Sequence, residues 1–551
     1  MSDLFYPIPS SQLFEWVFTE LETRDSIFGI ARQNFFVPTA SDPFKTTAFG
    51  HALETPFGPA AGPHSQMAQN IVAAWLCGAR YIELKTVQTL DELDVSKPCI
   101  DMEDEGYNVE WSQELKVYQS FDEYLRAWVL IHALHHALGF PGDSPAIVFN
   151  LSVGYNLEGI QQPNMQWFLE QMQDCSSYKN DLLQQCARYY PQVLELDIPD
   201  RISDNVTLST MHGCPPDEIE RICAYLMQEQ GLHTYVKCNP TLLGPERVRG
   251  MLHDLGYIDV VVPDSAFEHD LEYAAAVPMI RSLKAIAREV GLHFGVKLSN
   301  TLEVENFRKV FDAEEKMMYL SGRALHAITI NLADQLWREF DGDLPMSFSA
   351  GADCFNVAEL LACGMQTITT CSDLLKTGGY LRLLQYVDNT RGAFTDHDAT
   401  NIDAFVTALA DGDTAVKAAG ANLSRYAQKV QAEHTLQKAA FLTSRSKTSR
   451  ELELFDCIEA PCVDRCAIDQ KVPQYLRAVS DGNYEKAVQL TLEDNPVPCI
   501  LGRVCDHLCE TTCIRTHLDE PLAIREIKRF IMDQETPPEA GGKPGLPGPR
   551  V

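Results

Sequence analysis

The sequence predicts an α/β protein: a (β/α)8 TIM barrel followed by a small α-helical module built around clustered cysteines. Two observations carry this. From about residue 51, short apolar runs alternate with helical stretches, the sequence form of repeated β/α units. Near the other end, seven of the seventeen cysteines, Cys457, Cys462, Cys466, Cys499, Cys505, Cys509 and Cys513, fall within 57 residues. A length of 551 residues exceeds what one core supports.

Ten stretches read as strands: 55–62, 80–87, 146–153, 192–199, 233–240, 258–265, 293–300, 326–333, 346–353 and 366–373. A (β/α)8 barrel needs eight, so at least two belong to insertions. The expected organisation is an N-terminal extension over 1–50, a catalytic barrel over 51–395, a helical connector over 396–450, a cysteine module over 451–535 and a Pro/Gly-rich linker over 536–551.

Composition narrows the function. Lys and Arg number 45 against 77 Asp and Glu, a net charge of −32. Such a chain repels nucleic acid and anionic membranes. The start "MSDLFYPIPSS" lacks a basic, apolar leader, and no run has membrane-spanning length. A cytoplasmic protein is expected, whose clustered thiols serve metal or catalysis rather than disulfides.

The cysteines are spaced C-x4-C-x3-C from Cys457 and C-x5-C-x3-C-x3-C from Cys499. A cubane iron–sulfur cluster takes four thiolates, two or three from tight local spacing and one from afar. Zinc is the alternative, but there is no C-x2-C knuckle. Seven thiols leave three over from one 4Fe-4S cluster and fall one short of two, so either one ligand is not cysteine or one cluster is absent.

In the barrel, "PFGPAAGPHSQ" and "YIELKTV" place small residues and then Lys85-Thr86 at two strand ends. Small residues let a flat ring approach, and a lysine stabilises negative charge on a reduced flavin. Ala350-Gly351 and Cys371-Ser372 stand at two later strand ends, where barrels commonly hold phosphate. Cys214, in "MHGCPPDEIE", and His212 are candidate proton donors. The acid-rich stretch 91–111 reads as a solvated loop near the barrel mouth. His132 and His136, at i and i+4, read as part of an amphipathic helix.

These motifs carry a resemblance. "CIEAPCVDRCAIDQKVPQYL", "GRVCDHLCETTC" and "EPLAIREIKRFIMD" resemble the double-cluster domain of glutamate synthase small subunits and dihydropyrimidine dehydrogenase. The resemblance implies two 4Fe-4S clusters: Cys457, Cys462 and Cys513 for one, Cys466, Cys505 and Cys509 for the other. An earlier family cysteine is Leu454 here, a late Glu or Gln ligand falls near Lys528, and Cys499 is the substitute ligand. The region 51–390 resembles the FMN barrel of dihydroorotate and dihydropyrimidine dehydrogenases. That implies a flavin lined by Ala60, Ala61, Lys85, Thr86, Asn150, Gly351, Cys371 and Ser372, with Lys237 or Lys297 as the mid-barrel lysine and Asn331 against the ring.

The whole order is similar to the bacterial selenate reductase subunit family. It implies an oxidoreductase of purine catabolism that reduces urate or another oxopurine, with electrons from NAD(P)H and FAD on a partner subunit or a further domain. A selenate reductase subunit and a non-catalytic electron-transfer or assembly subunit without FMN are the alternatives. A homo-oligomer is also compatible.

Overall fold

Eight short parallel strands form the centre of the first of two units. They are β1 (Phe57–Pro59), β2 (Tyr81–Glu83), β3 (Val148–Val153), β4 (Asn205–Leu208), β5 (His233–Cys238), β6 (Phe294–Leu298), β7 (Met346–Phe348) and β8 (Thr367–Thr370). They run in sequential order around the sheet, from β2 through β3 to β8 and on to β1. The computed structural model describes residues 6–91, 98–102, 105–110, 112–209, 214–308, 310–410, 412–440, 460–517 and 520–534. The chain divides into Met1–Ala440 and Phe441–Val551.

The ring nearly closes where β1 meets β2. The Arg80 backbone N–H donates to Phe57 O at 2.8 Å. Gly58 makes this approach possible, since a Cβ there would overlap the Tyr81 carbonyl. The bottom of the barrel is plugged by a hairpin of Thr46–Ala48 and His51–Leu53. At its tip Phe49 adopts a left-handed φ of 54°. Its ring stacks on His233, with centroids 5.6 Å apart, and meets Tyr235 edge-on at 5.0 Å.

Two excursions leave the top of the barrel, after β2 and after β6. They supply Ile100–Met102 with Gly106–Asn108, and Leu302–Glu305 with Met317–Ser321. The four join as one antiparallel sheet. Its central pairing sets Tyr319 opposite Asn108 and Ser321 opposite Gly106.

Seven of the ten expected strand stretches contain barrel strands. The other three are corrected. Residues 192–199 hold a 3-10 turn, Pro191–Glu195, and the fourth strand is Asn205–Leu208 instead. Residues 258–265 are irregular up to the start of the helix Asp264–His269. Residues 326–333 lie in the helix His326–Glu339, buried over its first nine residues, so no polar face revealed the helical period.

The helices Ile402–Leu409 and Ala415–Lys429, from the expected connector, belong to the first unit. Asn422 Nδ2 donates to Ala362 O and Val406 O, both at 3.0 Å. His326 joins β7 to the second of these helices, its Nδ1 2.8 Å from Ala350 O and its Nε2 2.8 Å from Tyr426 Oη.

In the second unit the described helices are Pro461–Asp464, Val472–Ser480, Tyr484–Asp494, Pro498–Val504, Leu508–Thr511 and Ile524–Gln534. Val472, Tyr475, Ala478, Ala487, Val488, Ile524 and Ile531 make its core, against which Cys462 and Cys509 pack. Among the described residues of the chain, no helix is long and apolar enough to cross a membrane.

Candidate active site and cysteine module

Barrel interiors are ordinarily filled by branched apolar side chains. Here the upper layers are polar. Glu83 on β2 is fully buried and faces two lysines. Lys297 Nζ on β6 lies 2.9 Å from Glu83 Oε2, and Lys237 Nζ on β5 lies 3.6 Å from Oε1. Register places Lys237 directly beside Lys297. Thr369 on β8 hydrogen-bonds both Lys297 and Glu83. Burial pushes the Glu83 carboxyl up, but Lys297 and then Lys237 pull harder, and it settles at about 2. Burial lowers the Lys297 ammonium pKa, and Glu83 opposes that.

Above this layer Lys85 extends the same inward alternation, two residues beyond Glu83. Its Nζ donates to Glu110 Oε1 at 2.6 Å, and both side chains are nearly inaccessible. Stretch 91–111 is therefore not simply a solvated loop: Asp101, Glu105, Tyr107 and Glu110 are all buried. Thr86 shares a hydroxyl hydrogen bond with Ser152 at 2.8 Å. Asn150 donates to Asn205 Oδ1 at 2.8 Å and accepts from Thr207 at 2.7 Å, so its amide is engaged across β4.

At the ends of β1 and β8, Ala60 N–H donates to Thr370 O at 2.9 Å. Ala61 follows, half-buried. His64 is buried there, 3.9 Å through Nδ1 from Cys371 Sγ. Burial drops the His64 imidazole to about 4 and raises the Cys371 thiol to about 12. The groups acting on Cys371 are, in order, Lys85, Glu110, Lys237 and Glu83, so the strand ends form one charged neighbourhood.

Gly351 has a left-handed φ of 60°, and a Cβ there would stand 2.7 Å from Arg323 Cα. A Cβ on Gly322 would stand 2.8 Å from Ser372 Oγ. The β7 and β8 ends thus border the segment 321–323.

Cys214 lies just beyond the end of β4, half-buried, where it precedes the helix Pro216–Gln228. Burial, then Glu218 and Asp217, raise its thiol to about 11. His212 lies outside the described residues.

Asn331 is not at a strand end. It sits on the helix His326–Glu339, and its Nδ2 donates to Ala327 O at 2.9 Å and Ala427 O at 3.2 Å. It lines a surface groove of about 370 Å³ with Arg247, Tyr273 and Gln335. The expectation that it meets a ring rested on a strand that is a helix. His132 and His136 do not converge either. The first bonds Trp128 O at 2.8 Å and the second Tyr190 Oη at 2.5 Å.

In the cysteine module burial, and then the neighbouring thiols Cys509, Cys462, Cys466 and Cys505, push the Tyr475 hydroxyl pKa up. Burial and then Cys513 raise the Cys462 thiol, and burial, then Glu510 and Cys466, raise the Cys509 thiol to about 12. Among the described residues no three Cys, His, Asp or Glu side chains gather around a single-ion point. Lys528, 6% exposed, points its Nζ at Cys505 Sγ from 3.9 Å. Cys499 is exposed, and Cys457 lies outside the described residues.

Glu83, Glu110 and His64 were missed in the sequence. Glu83 alone had a signal, since it alternates in phase with Lys85.

Comparison with known proteins follows this division. Residues 28–432 match the family described as oxidoreductase YgfK, N-terminal TIM-barrel domain. Residues 425–539 match dihydropyrimidine dehydrogenase domain II, 4Fe-4S cluster. YgfK of Escherichia coli (strain K12) is 43% identical over 554 residues, covering 97% of this chain and 52% of that protein. The NADP(+)-dependent formate dehydrogenase subunit beta of Moorella thermoacetica is 44% identical over 78 residues, 14% of this chain and 11% of that one. The ligand-free type DHODH of Eimeria tenella aligns at a TM-score of 0.43 and 14% identity, over 71% of this chain and 96% of that chain. The chain spans about half the length of the YgfK relatives it matches. With its polar-cored barrel and its 4Fe-4S module in one chain, this protein belongs to the YgfK oxidoreductase family.

Proposed function

We propose that the chain is the barrel and iron–sulfur part of a reductase that acts on a purine- or pyrimidine-type heterocycle, an oxopurine such as urate being the leading candidate. Electrons come from NAD(P)H through an FAD-bearing partner subunit or domain in the cytoplasm, and reach the barrel through the 4Fe-4S module. The observation that carries this reading is the buried Glu83–Lys297–Lys237 group at the inner end of a charged barrel mouth. A barrel serving only as scaffold has no reason to hold three ions in its centre, because desolvating them is costly.

The residues present fit FMN. Lys237 and Lys297 would supply donors to its ring, and Ala60 and Ala61 are the small strand-end residues such a ring needs. Gly351 and Ser372 would hold its phosphate. The module likewise fits cubane clusters, with Cys457, Cys462 and Cys513 on one and Cys466, Cys505 and Cys509 on the other. Bound FMN and clusters supply two-electron hydride transfer and one-electron supply, respectively. Lys237 and Lys297 both face the Glu83 carboxylate through Nζ. Cys214 holds a proton at Sγ through neutral pH, since its thiol sits at about 11. That proton completes the addition of two electrons and two protons to the ring, His212 being the other candidate donor.

The test is anaerobic purification with assay of iron, sulfide and acid-released FMN, and turnover of urate by a reduced viologen. Released FMN, iron with sulfide, and loss of urate absorbance are expected. Protein with no flavin and no turnover sinks the reading and leaves an electron-transfer or assembly subunit.

A further inference from the structure

We infer that Glu110 and Lys85 recognise the edge of a ring lactam, with Glu110 accepting from the ring N–H and Lys85 donating to the adjacent carbonyl. This rests on the barrel being the site of a heterocycle, as proposed above, and it names the class of ring.

Glu110 is 5% exposed and comes from the excursion after β2. One carboxylate oxygen takes the Lys85 ammonium at 2.6 Å. The other, Oε2, is buried and has no hydrogen-bond partner among the described residues. A buried carboxylate oxygen without a donor is costly, and most are satisfied. The Lys85 ammonium has three donors, and its hydrogen bond to Glu110 uses one. An acceptor and a donor therefore stand side by side, next to Cys371 at the β8 end. The complement of that pair is a cis –NH–C(=O)– edge, as in cyclic amides, imides and ureides. A ring carrying a carboxylate there is disfavoured, because Glu110 repels it. An N-methylated ring lacks the donor and leaves Oε2 unpaired.

The experiment is calorimetric titration of the full chain with uracil, xanthine and urate, and with the N-methylated counterparts 1,3-dimethyluracil and caffeine. At least one lactam should bind the native protein, and its N-methylated counterpart about tenfold to a hundredfold more weakly. Glu110→Gln should lose a similar factor for the lactam and little for the methylated ring, with thermal unfolding confirming that it folds. If a lactam and its methylated form bind the native chain equally, or Glu110→Gln binds the lactam unchanged, the inference fails while the heterocycle reading stands. If none of the rings binds, both fail. The comparison of methylated ligands needs no variant, so a Glu110→Gln protein that does not fold does not protect the inference.

Discussion

Replacing Glu83 by Gln tests the polar barrel centre most directly. The substitution keeps shape and removes one charge, leaving Lys297 at 1% and Lys237 at 10% exposure with no carboxylate between them. A buried ion pair broken on one side costs about 3–5 kcal/mol. The carboxyl itself gives a similar figure: held at about 2 instead of 4.5, it contributes about 3 kcal/mol of stability at neutral pH. With an unfolding entropy of about 2 cal/mol/K per residue over the unit Met1–Ala440, this is a fall in Tm of roughly 3–5 °C. The pH dependence gives the sign. Glu83 has a lowered pKa in the fold, so its contribution is present above 4.5 and is lost as pH falls from 4.5 toward 2. Native and variant Tm should therefore converge on acidification. The Lys297 pKa is also lowered in the fold, so unfolded chain binds more protons and stability rises with pH toward the free lysine value of about 10.4. The variant deficit should shrink there too. Scanning calorimetry from pH 3 to 10 reads both arms. A variant within about 1 °C of native at pH 7, or a deficit that does not change with pH, refutes the argument that these charges hold one another.

Three further outcomes are expected. Cys214→Ser should lower urate turnover by about 10²–10⁴-fold while leaving calorimetric ring affinity unchanged; equal loss of binding would remove Cys214 from proton delivery. Lys528→Met removes the cation beside Cys505, and should lower a cluster midpoint potential on the order of 50 mV, about a tenfold change in a one-electron equilibrium; an unchanged EPR-monitored redox titration refutes this. His51 has its pKa raised by its hydrogen bond to Asp204, 2.7 Å away. Its stabilisation is full below 6.5 and is lost as pH rises through the raised value, so His51→Gln should lower Tm at pH 5.5 and change nothing at pH 9.

Seven of the eight barrel strands were readable from the sequence as short runs alternating with helical stretches. The one that was missed, β4, turns Asn205 and Thr207 toward side chains of β3, so its polar residues looked like loop. The opposite error befell "HAITINLA", whose β-branched residues suggested a strand. It opens a helix whose first nine residues are all buried, where propensity yields to packing. Small residues and lysines at strand ends pointed to the barrel mouth. The acids that answer those lysines could not be paired in advance, because Glu110 meets Lys85 only through the excursion that carries it. The cysteine module was legible because thiol crowding is itself a chemical signal. Lys528 beside Cys505 needed the fold, since 23 residues separate them.

The sheet above the barrel joins strands from parts of the chain about 200 residues apart, along a seam only three residue pairs long. At that seam Ser321 Oγ donates to Gly106 O at 3.1 Å. Neither half can lift alone without unzipping the other, so the two excursions act as a single hasp.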